Sequence, residues 1–230
     1  AAIIGGGGGG GGGSTAPTVD NPDGDHKING EGSAPSIDVT GTSLPGAEVV
    51  VTIGGKTVTT TTGDDGKWSV TFTGGDFPVD GDYDNVAVKV TDPDGTVTDL
   101  DGPSFEIDTV APPISATNGA VSTDDLFNET AHSGGGVTLS GTGEVGATVT
   151  VTIDGHSQTT TIGGNGEWSF TSDATVLPAG EYTRDVVITA EDGFGNITTL
   201  NEQIQIDTVN EVALTNAPLT GDDILNAAEV

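Results

Sequence analysis

The chain has 230 residues, with 35 Asp and Glu against 5 Lys and Arg, a formal net charge of −30. Such a surface repels nucleic acid and anionic membrane, and no apolar run approaches the roughly 20 residues of a membrane-spanning helix. Cysteine is absent, which excludes disulfides and zinc–thiolate centres.

Taken in chain order, residues 5–13 are all glycine. They have no side chains to bury, so residues 1–18 read as a flexible polyglycine linker. No strand pattern precedes the tract and no Lys-Ser/Thr follows it, so it is not a phosphate-binding loop. From residue 19 the pattern is period two. Val49, Val51 and Ile53 alternate with Val50 and Thr52; Trp68, Val70 and Phe72 alternate with Lys67, Ser69 and Thr71. Val86, Val88 and Val90 form a further strand, and Phe105 and Ile107 a last one. Gly54-Gly55, the segment from Gly63 to Gly66, and the segment from Asp92 to Gly95 punctuate them as turns.

The same succession then returns. Val51-Thr52-Ile53 recurs as Val151-Thr152-Ile153, Gly41-Thr42 as Gly141-Thr142, Asp65-Gly66-Lys67-Trp68-Ser69 as Asn165-Gly166-Glu167-Trp168-Ser169, and Ile107-Asp108-Thr109-Val110 as Ile206-Asp207-Thr208-Val209. A repeat of about 100 residues is too long for a solenoid turn and suits one immunoglobulin-like sandwich. The fold expected is all-β, with tandem immunoglobulin-like β-sandwiches over 19–110 and 111–209, and the start of a third repeat over 210–230. Trp68 and Trp168 alternate with polar neighbours and are expected in the cores.

Ordered as a seven-stranded sandwich whose strands reverse in turn, with strand D over 56–62, each domain has a leading pole where the chain comes in and a trailing pole where it leaves. Asp20, Asp23, Asp25, Asp64, Asp65, Asp92 and Asp94 fall at the leading pole of domain 1. Asp76, Asp80, Asp82, Asp84 and Asp108 fall at its trailing pole, facing Asp124, Asp125, Asn165, Asp192 and Asn196 on domain 2. The next joint gathers Glu181, Asp207, Asp222 and Asp223. Crowded carboxylates cannot all stay ionised without a cation. Calcium, which takes six to eight oxygens in flexible geometry, fits ligands drawn from several loops better than magnesium does. The competing reading is that Asp, Asn and Gly simply favour turns. The metal ligands expected are Asp64, Asp65, Asp108, Asp124, Asp125, Asp192, Asn196, Asp207, Asp222 and Asp223, with Ca2+ in a structural role.

No catalytic constellation emerges. His26, His132 and His156 have no recurring partner or metal spacing, and there is no nucleophile elbow. The chain reads as a non-enzyme.

Asp65-Gly66-Lys67-Trp68-Ser69, the segment Ala190-Glu191-Asp192-Gly193-Phe194-Gly195-Asn196, Leu177-Pro178-Ala179-Gly180-Glu181-Tyr182, the closing Ile-Asp-Thr-Val and the acidic start at 222–229 occur in one order. In that order they resemble the tandem bacterial Ig-like repeats of giant type I-secreted RTX or biofilm-associated adhesins. The resemblance covers nearly everything after Thr18. It implies a secreted extender at the bacterial cell surface, whose partners are neighbouring repeats of the same chain and whose joints hold calcium. Domain 1 departs from it at Asp92-Pro93-Asp94-Gly95, which lacks the Gly-Asn ending. Such adhesins often carry a retention module and a small-residue linker. Ala1-Ala2 looks like the site at which some are cut, and a tract without bulk would thread an outer-membrane export channel. A glycan- or protein-binding module, an accessory module of a hydrolase, and a fibre assembled by strand addition remain as alternatives.

Overall fold

The computed structural model describes residues 16–32, 34–84, 86–118, 126–128, 137–172 and 175–209. The glycine tract, the expected third repeat, His132, Asp124, Asp125, Asp222 and Asp223 lie outside them.

Domain 1 contains β1 (Thr18–Val19), β2 (Asp25–Ile28), β3 (Ser36–Thr42), β4 (Glu48–Ile53), β5 (Lys56–Thr61), β6 (Lys67–Thr73), β7 (Gly81–Tyr83), β8 (Ala87–Thr91), β9 (Val97–Asp101) and β10 (Ser104–Ile107). One layer runs β1-β3-β6; facing it are a sheet in the order β5-β4-β8-β9 and a separate shorter one in the order β2-β10-β7. Domain 2 contains β11 (Ile114–Asn118), β12 (Leu126–Asn128), β13 (Thr138–Gly143), β14 (Thr148–Ile153), β15 (His156–Thr161), β16 (Glu167–Thr171), β17 (Glu181–Glu191) and β18 (Ile197–Asp207). Its layers are β11-β13-β16 and β12-β18-β17-β14-β15.

Each pair of layers closes over its own core, because the alternating apolar residues of facing sheets point inward. The first core holds Ile37, Val49, Val51, Trp68, Phe72 and Val88; the second holds Leu139, Val149, Val151, Trp168, Ile188 and Ile204. Both tryptophans are buried, at 3% and 2% exposure.

The repeated Gly41 and Gly141 follow from those tryptophans. Gly41 pairs with Trp68 and Gly141 with Trp168 across the sheet. A Cβ at Gly141 would lie 1.8 Å from Ser115 O and 2.8 Å from Trp168 Nε1; at Gly41 it would lie 2.1 Å from Thr18 O and 2.4 Å from the Trp68 ring. The indole and the first strand's carbonyl occupy the space a side chain would need. Trp168 Nε1 donates to Ser115 O at 3.1 Å, whereas Trp68 Nε1 is buried with no partner. Trp168→Phe is therefore expected to cost about 1 kcal/mol more than Trp68→Phe, the net worth of one hydrogen bond, measurable by chemical denaturation of the two variants.

Two features differ from the sequence expectation. The strand after β4 was expected to be strand D, which in a seven-stranded sandwich joins the opposite layer. Instead β5 stays beside β4, because Gly54 and Gly55 (φ 56° and 78°), matched by Asp154 and Gly155 (φ 49° and 79°), make two-residue turns with both residues left-handed. Such turns close a tight hairpin within one sheet. A short strand, β2, runs parallel to β10, with Asp25 opposite Ser104. Asp25 is thereby carried along the domain, away from the leading pole where it was expected, and residues 29–31 are delivered to the trailing pole. Domain 1 also breaks its last strands at Gly102-Pro103, where Val86 N–H donates to Pro103 O and Gly102 N–H to Val86 O. Proline has no N–H to offer a sheet ladder. The corresponding Glu202 and Gln203 keep β18 continuous.

Candidate functional site: the joint between the domains

Residues 108–113 connect β10 to β11. Pro112 and Pro113 limit backbone freedom here, and Asp108 Oδ1 accepts the Val110 N–H at 3.1 Å, fixing the first turn of the connection. Asp207 does the same with Val209 at 3.2 Å. That local bond accounts for aspartate at the same place in both repeats.

The joint itself closes on the turn between β17 and β18. Asn196 is 1% exposed, and its carboxamide is fully used. The side-chain nitrogen donates to Asp108 O at 2.8 Å and to Asp192 Oδ2 at 2.8 Å. Its oxygen accepts the Gly30 N–H at 2.7 Å. Around it, Asn29 Nδ2 donates to Phe194 O at 2.9 Å, Ile197 N–H donates to Glu31 Oε1 at 2.7 Å, and Lys27 Nζ lies 4.7 Å from the Phe194 ring centroid. Gly30 has to be glycine, since a Cβ there would sit 2.6 Å from Thr109 O.

Asp192 anchors the turn. Its Oδ1 accepts the N–H groups of Phe194 (2.7 Å) and Asn196 (3.0 Å). Burial raises its pKa, but the donors of Asn196, Phe194 and Gly195 outweigh burial and hold the carboxyl below the usual carboxylate value. A depressed folded pKa stabilises fully above the unfolded value of about 3.9 and is lost as pH falls through the folded pKa. Acid unfolding of domain 2 is therefore expected to steepen below about pH 4, and Asp192→Asn should flatten that acid limb. An unchanged limb in Asp192→Asn would mean the carboxylate is not coupled to folding.

The structure brings Asp108, Asp192 and Asn196 together. It places Asp64 and Asp65 in the exposed β5–β6 turn, where Asp65 Oδ1 accepts the Lys67 N–H at 3.1 Å, and Asp207 at the far end of domain 2, opposite Glu181. Among the described residues no group of three or more His, Cys, Asp or Glu is arranged to hold a metal ion. At the centre of the joint an amide N–H, a donor, meets the two oxygens that a cation would bridge. The described residues alone do not fit a calcium shell there. Lys27, Asn29, Gly30 and Glu31 were not singled out from the sequence.

Each domain also carries a tyrosine near the start of the path that leads to its leading-pole turn, Tyr83 in β7 and Tyr182 in β17. Tyr83 OH donates to Val79 O at 2.7 Å, and Tyr182 OH donates to Pro178 O. A tyrosine bonded back to a carbonyl a few residues upstream at this corner is a hallmark of immunoglobulin-type sandwiches. A solved bacterial immunoglobulin-like domain from the ice-binding adhesin of M. primoryensis is 30% identical to this chain over all of that domain and 43% of this chain, with a TM-score of 0.32. The chain folds as tandem immunoglobulin-like sandwiches.

Two longer adhesin structures are also similar to these Ig-like repeats. A Ca2+-stabilized adhesin that helps an Antarctic bacterium reach out and bind ice is 30% identical over 85% of this chain and 50% of its own, with a TM-score of 0.44. A structure concerning host cell surface retention of a 1.5-MDa bacterial ice-binding adhesin is 25% identical over 79% of this chain and 61% of its own, with a TM-score of 0.40. The chain thus spans half to three-fifths of those structures. No superposition among the three reaches a TM-score of 0.5; the immunoglobulin-like assignment rests on the topology and tyrosine corners above. No protein-family model matches the chain, and no curated protein matches it. Among the described residues no helix is long and apolar enough to cross a membrane.

Proposed function

We propose that this chain is a structural, non-catalytic extender segment of a bacterial cell-surface adhesin, with Ig-like repeats joined end to end so that a distal adhesive domain is held away from the cell. One observation carries the reading. The turn at 192–196 of one repeat is seated on residues 29–31 and 108 of the preceding repeat through a buried asparagine, two of whose three hydrogen bonds cross the joint while the third holds its own turn. A spacer needs joints that transmit direction, and a fully satisfied buried polar contact selects one geometry, because any other orientation strands its partners. The four aromatic residues that a glycan platform would use are otherwise engaged. Phe77 and Tyr83 pack on the first core, Tyr182 on the second, and Phe194 lies under Lys27 in the joint.

The same reading includes structural Ca2+. Two things support it: the −30 charge, which makes the poles of successive repeats repel without counter-ions, and the similarity to a Ca2+-stabilized adhesin. Asp108 and Asp192 would contribute, with Asp124 and Asp125 from outside the described residues. Asp207, Asp222 and Asp223 would serve the following joint, and Asp64 and Asp65 the leading pole of domain 1. Residues 1–18 would lead into the array, and export through an outer-membrane channel would place the whole segment outside the cell.

Thermal unfolding of the full chain in about 5–10 mM calcium, a range that fills weak extracellular-type sites, separates the possibilities. A midpoint raised over chelator by calcium and not by magnesium is the expected result, since a ligand bound to the native state shifts the unfolding equilibrium. Superimposable curves would remove calcium from the account and leave the hydrogen-bonded joint.

A further inference from the structure

The two repeats carry the same turn with different side chains. Asp192-Gly193-Phe194-Gly195-Asn196 and Asp92-Pro93-Asp94-Gly95-Thr96 occupy equivalent places, since Glu191 pairs with Ile197 and Thr91 with Val97 on either side. Their backbones match. Asp192 N–H donates to Asn196 O at 3.2 Å and Asp92 N–H to Thr96 O at 2.8 Å; Gly195 and Gly95 have φ of 88° and 87°. What differs is everything the joint uses. Phe194, which lies against Lys27, is replaced by Asp94, and Asn196 by Thr96. In domain 2 the Asp192 carboxylate is filled by donors of its own turn; in domain 1 Asp92 Oδ1 is buried with no partner. The Asp94 carboxylate accepts the Thr96 N–H at 2.9 Å, which holds its pKa below the usual value, so Asp94 is engaged within its own turn and Asp92 Oδ1 receives no donor from it.

We infer that the residue at this turn position is the specificity determinant of the joint: asparagine locks a leading pole onto the Asn29-Gly30 and Asp108 surface of the preceding repeat, and threonine leaves a pole unlocked. Asparagine alone among the two can donate to the Asp108 carbonyl, donate to its own aspartate and accept from Gly30 at once. Threonine has one hydroxyl and a shorter reach. Asp94 would also bring a carboxylate to a trailing pole where Asp80, bonded to Thr109, and Asp108 already lie; Asp82 and Asp84, expected there, run back along β7 and just past its end, beside Glu106 and Ser104. The array is therefore polar. It is locked between domains 1 and 2, and the leading pole of domain 1 is a swivel whose neighbour is not held in the way domain 1 holds domain 2.

This inference rests on the extender reading, and the test separates the two. Residual dipolar couplings and 15N relaxation of the full chain report whether the domains share one alignment and one tumbling time. The expected result is one shared alignment for the native chain and two independent ones for Asn196→Thr, with each core's amide spectrum retained. Gly30→Ala, which breaks the same contact from the domain 1 side, should also give two, and serves if Asn196→Thr fails to fold. Shared alignment in both variants would overturn the role given to residue 196 while leaving the extender reading intact. Independent alignment already in the native chain would overturn both.

Discussion

Replacing Asn196 by alanine is expected to destabilise domain 2 and its joint by about 3 kcal/mol, since each bond lost from a buried group costs about 1–3 kcal/mol when its partner is left unsatisfied and the three effects overlap. Asn196 is enclosed, so water cannot readily replace what the side chain supplied. The Gly30 N–H, the Asp108 carbonyl and one oxygen of Asp192 would each lose a partner. Asp192 would then face its burial with fewer donors, and the acid sensitivity of domain 2 should shrink in the same variant. Urea unfolding followed by tryptophan emission reads this directly, with Trp68 and Trp168 reporting one per domain. A loss below about 0.5 kcal/mol, the range of ordinary surface substitutions, would mean that the carboxamide is not a structural contact.

Gly141→Ala is expected to be the more damaging change, at about 3 kcal/mol or beyond, at the upper end of what overpacking costs. The new Cβ meets a backbone carbonyl, Ser115 O, and the indole nitrogen bonded to it. Neither can move alone, because β11 and β16 flank β13 on both sides. Gly164→Ala, where nothing lies within 4 Å of an added Cβ, serves as the control and should be nearly neutral. Comparable losses in the two variants would show that backbone freedom, not space, sets the choice of glycine.

Much of this was legible because each repeat states its pattern twice. The period-two runs around Val49 to Ile53, Trp68 to Phe72 and their counterparts are buried strands, and the inward position of both tryptophans followed from their polar neighbours. β2 was not legible. Asp25-His26-Lys27-Ile28 carries one strongly apolar residue and no alternation strong enough to declare a strand; it forms because β10 offers a free edge. The Asn29-Gly30-Glu31 surface was missed with it. Asn196 was noticed for a different reason. In a pattern of acids it reads as one more oxygen, and only the three-dimensional arrangement shows that its nitrogen faces Asp108 and Asp192. The signal available was the pairing of Asp and Asn four residues apart around a glycine in domain 2, set against Asp and Thr at the same spacing in domain 1. The break at Gly102-Pro103 was likewise readable in principle, since proline stands where Gln203 continues the strand.

The central claim is that the joint holds two Ig-like repeats at one orientation. The chain has no cysteine, so Thr59→Cys on β5 and Thr159→Cys on β15, both exposed, would place one spin label on each domain without background. Pulsed electron–electron dipolar spectroscopy of this pair in saturating calcium is predicted to give a single narrow distance distribution. A broad distribution under those conditions, with both domains still folded, would contradict the account: the repeats would then be beads on a flexible string, not segments of a stiff extender.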